Sequence, residues 1–231
     1  MATERVYPTG LLGKKLGMSQ VFTEEGASVP VTVIQAGPCT VLQVKREGEG
    51  SAKGGQGEGY FAVQLGFDPK KPQRTTKAEL GHFSKAGKGA FYHVREIRCN
   101  AQEQLLGDVG AEINVGDVFQ EGQLVDVSGV TKGKGFQGVV RRFGVRGQPA
   151  TRGTHEKFRN IGSIGCRKFP GRVWKNQKMP GHMGDLNVTV QNLKVVKVIP
   201  EKNIILVKGA VPSARNGLVV LRKARKKEAA A

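Results

Sequence analysis

Valine recurs at every second position through Val29, Val31 and Val33 ahead of Gly37-Pro38, and Val41, Gln43 and Lys45 carry a second run. That period predicts strands within the first 45 residues. Tyr60–Phe67 repeats it through Phe61, Val63 and Leu65. Ile113–Phe119 (INVGDVF) predicts a strand with a turn at Gly116-Asp117, and Leu124–Val130 predicts another. Later the pattern returns through Val188, Val190, Leu193, Val195, Val196 and Val198. Pro200–Asn203 then predicts a turn, followed by strands over Ile204–Val207 and Leu218–Leu221. Thr75–Ala86, bounded by Pro72 and Gly87, predicts a short helix around Ala78, Leu80 and Phe83. Asp68–Asn100 has no other clear period. Arg46–Gly59, with six glycines in fourteen residues, predicts a flexible loop. Many short strands joined by turns imply a small closed antiparallel barrel, because closure removes exposed edges.

Between Thr131 and Gly184 the pattern stops. Those 54 residues hold thirteen Lys or Arg, eleven glycines and one acid, Glu156, and so carry +12 of the chain's +18. Such a stretch repels itself and is thin in apolar residues, so it predicts no packed core of its own. Without it 24 basic residues face 18 acidic ones, and without the C-terminal run Arg222, Lys223, Arg225, Lys226 and Lys227 the figures are 19 and 18. The remainder, about 170 residues, is long enough for a barrel core. The organisation predicted is a discontinuous barrel domain of residues 1–130 and 185–221, an inserted extension of residues 131–184, and a basic tail of residues 222–231. Out and back, the insertion has about 27 residues per limb and a reach of at most roughly 90 Å. A long irregular insertion of this kind is expected to be functional, mobile when free and ordered against an anionic partner.

Within the insertion TKGKGFQGVV spells G-x-G-x-x-G at Gly133, Gly135 and Gly138. A dinucleotide fold needs a helix opening at the third glycine, but Gly144, Gly147 and Pro149 interrupt one before it could pack. A kinase loop would need further signatures that are absent, and no Walker A pattern occurs. Glycines beside lysines more simply allow close backbone approach to phosphates. Five of the chain's fourteen aromatics lie here, Phe136, Phe143, Phe158, Phe169 and Trp174, and are candidates to stack on bases or to pack among themselves. Seven arginines against six lysines favour forked phosphate contacts over a diffuse ion cloud. His155 and His182 sit among basic residues and glycines, and no nucleophile–base pair or carboxylate pair recommends catalysis.

Three cysteines, Cys39, Cys99 and Cys166, are widely separated and form no CxxC or His/Cys cluster, which argues against structural zinc and fits a reducing compartment. There is no signal-peptide pattern and no run of 18 apolar residues, so the expectation is a soluble cytoplasmic protein without a membrane partner.

The segments GLLGKKLGMSQVF (Gly10–Phe22), TKGKGFQGVVRRF (Thr131–Phe143), GTHEKFRNIGSIG (Gly153–Gly165), PGRVWKNQKMPGHMG (Pro170–Gly184), VTVQNLKVVKV (Val188–Val198) and LVKGAVP (Leu206–Pro212) resemble the universal third protein of the large ribosomal subunit, bacterial type. The resemblance runs from about Gly10 to Leu221. It implies a mainly β fold, a closed antiparallel translation-protein-type β-barrel with a long irregular basic extension and one or two short helices. It implies a non-enzymatic ribosomal constituent with no cofactor and no small-molecule substrate. It further implies direct binding of large-subunit rRNA, a part in early subunit assembly, an extension reaching toward the peptidyl transferase centre, and neighbouring large-subunit ribosomal proteins as partners. On this reading Lys14 and Lys15 dock the barrel, and Lys132, Lys134, Arg141 and Arg142 anchor the start of the extension to phosphates. Arg146, Arg152, His155, Arg159, Arg167, Lys168, Arg172, Lys175, Lys178 and His182 meet rRNA farther along, with Phe136 and Trp174 as stacking candidates. Two alternatives stay open at this point, a nucleotide-dependent enzyme using the Gly133–Gly138 loop and a general nucleic-acid chaperone outside the ribosome.

Overall fold

The computed structural model describes residues 9–45, 59–99 and 108–226 of the 231. The predicted loop at Arg46–Gly59 lies, but for Gly59, outside the described residues, as do residues 227–231 of the tail. The chain divides into two compact units, one of residues up to Val130 together with Asn187 onward, the other Thr131–Leu186.

The first unit is built on strands. β1 (Gly10–Phe22), β2 (Ser28–Ala36), β3 (Cys39–Lys45), β4 (Ala62–Lys70), β5 (Ala90–Arg98), β6 (Glu112–Ile113), β7 (Leu124–Val130), β10 (Asn187–Ile199), β11 (Ile204–Lys208) and β12 (Leu218–Lys223) belong to it. Six of them close an antiparallel barrel in the order β1-β12-β7-β10-β11-β2. The barrel is sealed by the first and last strands, with Leu11 opposite Leu221 and Leu12 opposite Val220. A separate sheet runs β5-β4-β3-β6, so residues between β2 and β7 form a second layer and not part of the barrel wall.

Alternation explains how the two layers share one core. Leu11, Ile34, Val127, Val195, Ile205 and Leu221 from the barrel cluster with Val41, Val63, Leu65 and Ile97 from the sheet, all fully buried. Leu42, next to Val41, turns to the other side and clusters with Phe83 of α1 (Lys77–Ser84) and with Ala86 just past its end. That helix matches the one predicted over Thr75–Ala86. Thr76 caps it, accepting from the Glu79 amide while the Glu79 side chain accepts from the Thr76 amide. The Thr76 amide, and next the charge of Lys70, hold the Glu79 carboxyl below the usual carboxylate range.

The strand predicted at Ile113–Phe119 is corrected. Only Ile113 is in a strand, and Val115–Val118 forms a one-turn helix, α2. The physical reason is local: Asp117 accepts from the Asn114 amide at 2.9 Å, closing a capping box that an extended chain cannot make. Val115 and Val118, three apart, would face opposite sides of a strand but are both buried in the core by that turn. β5 lies in the stretch that showed no clear period. The tail also begins later than predicted, since Arg222 and Lys223 are strand residues paired with Asp126 and Val125.

Cys39 lies in the shared core, its thiol donating to the Leu12 carbonyl at 3.4 Å, and burial pushes its pKa up to about 12. Cys166 is exposed. A thiol reagent at pH 8 is therefore expected to modify Cys166 in the native protein, and Cys39 only once the core opens. Peptide mass mapping checks this, and native-state labelling of Cys39 would mean that the barrel and sheet do not share a sealed core.

Candidate nucleic-acid interface

In the second unit charge and glycine leave little to bury. Across Thr131–Leu186 a single side chain, Val139, is buried. Order comes mainly from backbone hydrogen bonds between the outgoing and returning limbs. The Thr131 amide donates to Leu186, Lys134 to Met183 and Met183 to Gly135, at 2.9, 2.9 and 3.0 Å. β8 (Phe136–Gln137) then pairs with β9 (Gly181–His182), and the Phe136 and His182 rings meet edge to face at 5.8 Å. Gly184 takes φ +76° beside the Lys132 carbonyl, a backbone position suited to glycine.

After β8 a helix does open at Gly138, α3 (Val139–Phe143), but it stops after five residues at Gly144, whose φ of 69° is left-handed. The strand before it is two residues long and antiparallel to its neighbour, so there is no βαβ unit behind the G-x-G-x-x-G letters. Arg142 from this helix donates to the Met179 carbonyl at 2.9 Å, and its guanidinium lies 5.0 Å from the centre of the Phe143 ring. It ties α3 to the returning limb. Arg141 donates only to Gln137, at 3.4 Å. Beyond the helix Gln148 bonds Phe158 across a turn at 2.9 Å, and Thr154 bonds the Pro149 carbonyl at 2.6 Å. From Ile161 to Lys178 bonds are few, among them Gln177 to Trp174 at 3.3 Å.

The cations are presented, not consumed. Lys132, Lys134, Arg141, Arg146, Arg152, Arg159, Arg167, Lys168, Arg172, Lys175 and Lys178 are exposed, as are His155 and His182. Among the described residues no ion pair joins any of the segment's thirteen Lys and Arg to a carboxylate. Phe169, Phe136 and Trp174 are 85%, 67% and 57% exposed. Exposed rings among exposed cations suit a partner that offers phosphates and flat bases. Lys14 and Lys15 differ. The Lys14 ammonium sits 3.5 Å from Asp68, and that of Lys15 donates to the Val211 carbonyl at 2.7 Å and the Ser213 carbonyl at 3.3 Å.

An open cavity of about 850 Å³ lies within this unit, between Phe136, Val139, Gln148, Thr154, Lys157, Arg159, Ile161 and Pro180. Its lining contains no carboxylate, histidine or cysteine. Among the described residues no group of three or more His, Cys, Asp or Glu could hold a metal, and no helix is long and apolar enough to cross a membrane. Sequence reasoning missed the bracing role of Arg142, whose only signal was the return of Met179–Gly181 to α3 from 37 residues away.

Residues 94–203, which include the whole second unit, match the profile of the family described as Ribosomal protein L3. Three bacterial proteins, each called Large ribosomal subunit protein uL3, are similar over nearly the full length. That of Syntrophotalea carbinolica is 49% identical over 218 residues, covering 94% of this chain and 98% of its own. That of Herpetosiphon aurantiacus is 49% identical over 217 residues (94% and 97%), and that of Trichlorobacter lovleyi 47% over 213 (92% and 95%). With a likeness of this depth spanning both the barrel strands and the basic segment between them, the chain belongs to the ribosomal protein L3 family.

Proposed function

We propose that this chain is a non-catalytic constituent of the large ribosomal subunit that binds large-subunit rRNA directly through Thr131–Gly184. The observation that carries the reading is the segment's thirteen cations, without a carboxylate partner among the described residues, set among exposed rings in a unit with one buried side chain. Arg146, Arg152, Arg159, Arg167, Lys168, Arg172, Lys175 and Lys178 neutralise phosphates, Lys132, Lys134 and Arg141 do so nearer the start, and Arg142 holds the limbs in register. Phe136, Trp174, His155 and His182 meet bases and sugars. The physical work is electrostatic. Fixed cations lower the cost of bringing RNA strands together, which supports early assembly and buttresses rRNA near the peptidyl transferase centre. Neighbouring large-subunit proteins and the cytoplasmic ribosome follow from the same assignment.

The test is binding of the chain to deproteinised large-subunit rRNA across a salt series. Replacing Arg159, Arg167 and Arg172 together with Ala is expected to weaken binding and flatten the slope of log affinity against log salt by roughly 2 units. An unchanged slope would remove the segment from the interface. Equal affinity for unrelated RNA of the same length would favour the chaperone reading.

A further inference from the structure

The near-neutrality of the chain outside its extension and tail is a sum of two opposed regions. Pro69–Arg98 holds eight basic and two acidic residues, net +6, which leaves 11 basic against 15 acidic in the rest of that remainder, net −4. The structure gives this third basic stretch a definite surface. It runs from the end of β4 through a 3-10 turn at Pro72–Arg74 into α1 and back along β5. Its backing is firm: Lys70 is in register with Ala90, Phe91 packs edge-on against Phe83 of α1 at 5.9 Å, and the Thr76–Glu79 box fixes the helix start.

On that backing the side chains are arranged around one ring. Tyr92 alternates with Phe91 on β5 and is 47% exposed. The Lys70 ammonium lies 5.8 Å from the ring centre, and Arg74 donates to the Tyr92 hydroxyl at 3.3 Å. Lys70 is partly neutralised by Glu79 at 3.6 Å. Lys71, Arg74 and Lys77 are exposed and, among the described residues, have no carboxylate partner. Lys14 and Lys15, the cations expected to dock the barrel, are by contrast engaged by Asp68 and by backbone carbonyls.

We infer that Lys71, Arg74, Lys77 and Tyr92 form a second RNA-binding surface, on the four-stranded sheet, separate from the extension. The inference rests on the chain being an rRNA-binding protein. Cations along a proline-containing turn can each reach a phosphate, and the half-exposed tyrosine beside them can offer a π-face to an unpaired base. An acidic protein face would also satisfy the charges, but in a chain that binds rRNA through its extension the phosphate backbone is the nearer polyanion.

The experiment measures binding of the full chain to deproteinised large-subunit rRNA by filter retention, over a salt series. The variants are a triple Lys71→Ser/Arg74→Ser/Lys77→Ser, a Tyr92→Leu, and the Arg159/Arg167/Arg172→Ala triple. Removing Lys77 takes a cation from a helix start, so the fold is not put at risk there. The serine triple is expected to weaken binding roughly 10- to 100-fold near 0.15 M salt and to flatten the salt slope by about 2 units. Tyr92→Leu is expected to weaken binding with the slope unchanged, the mark of lost stacking. Additive loss with the alanine triple would show two surfaces on one RNA. If the serine triple binds as the parent does while the alanine triple fails, this surface is not an RNA site and the proposed function stands. If neither triple changes binding, the RNA reading itself falls. Unchanged RNA affinity with poorer incorporation into subunits would assign the surface to a protein partner and overturn the inference.

Discussion

Leu221→Ala is expected to cost about 2–5 kcal/mol of unfolding free energy, the range for truncating a fully enclosed leucine. Leu221 is 0% exposed and lies opposite Leu11 in β1 and Val127 in β7, so it stands where the last strand joins the first. Removing three carbons there leaves a cavity between strands more than 200 residues apart in sequence that little else can fill. Denaturant unfolding reads the effect as a lower midpoint with an unchanged slope. Val188→Ala, at a side chain 41% exposed on β10, is the control and is expected to change stability by less than about 0.5 kcal/mol. Equal effects at the two sites would mean that the β1–β12 seam carries no special share of the barrel's stability.

Gly184→Ala has the second large consequence, and it falls on the basic unit. A methyl group there would sit 2.1 Å from the Lys132 carbonyl oxygen, on a backbone whose φ of +76° already disfavours a side chain. The backbone term is about 1–3 kcal/mol, and relief of the clash must part the limbs that Lys134, Met183 and Gly135 bind together. The whole-protein midpoint should move little, because the barrel core is not involved. RNA affinity should fall about 5- to 150-fold, as the unit pays that term on each binding event. Gly138→Ala separates this from a general intolerance of alanine, since that site has a φ of −69° and nothing within 4 Å. Near-parental binding by Gly184→Ala would show that register at this point is irrelevant to the interface.

What could be read in the sequence follows from the range of each signal. Alternation is local, so β2, β7, β10, β11 and β12 were legible, and a charge imbalance as steep as that of Thr131–Gly184 needs no structure to be seen. The sharing of strands between a barrel and a separate sheet was not legible, because it depends on pairings such as Cys39 with Ile113 and Val63 with Ile97. β5 was hidden because His93, Arg95 and Arg98 sit among its apolar residues, and only a neighbouring strand makes sense of them. At Asn114–Asp117 the signal was present and outweighed, since a capping pair four letters long competes with apolar spacing over seven. In the basic unit composition named the cations. It could not say which were spoken for: there Arg142 proves to be engaged while Lys132 and Arg146 are exposed, and in the first unit Lys15 is engaged while Lys71 is exposed.

The seam between β1 and β12 also dictates an itinerary during synthesis. The sheet of β3 to β6 has all its strands by residue 113, and its main pairings are near neighbours along the chain, so it can settle early. The cylinder lacks its final stave until Leu218–Lys223 has emerged, long after the cationic stretch has left the exit tunnel. For that interval the nascent polypeptide carries its polyanion-seeking part on a half-built platform, and an RNA or chaperone that shields it then would guard against premature entanglement.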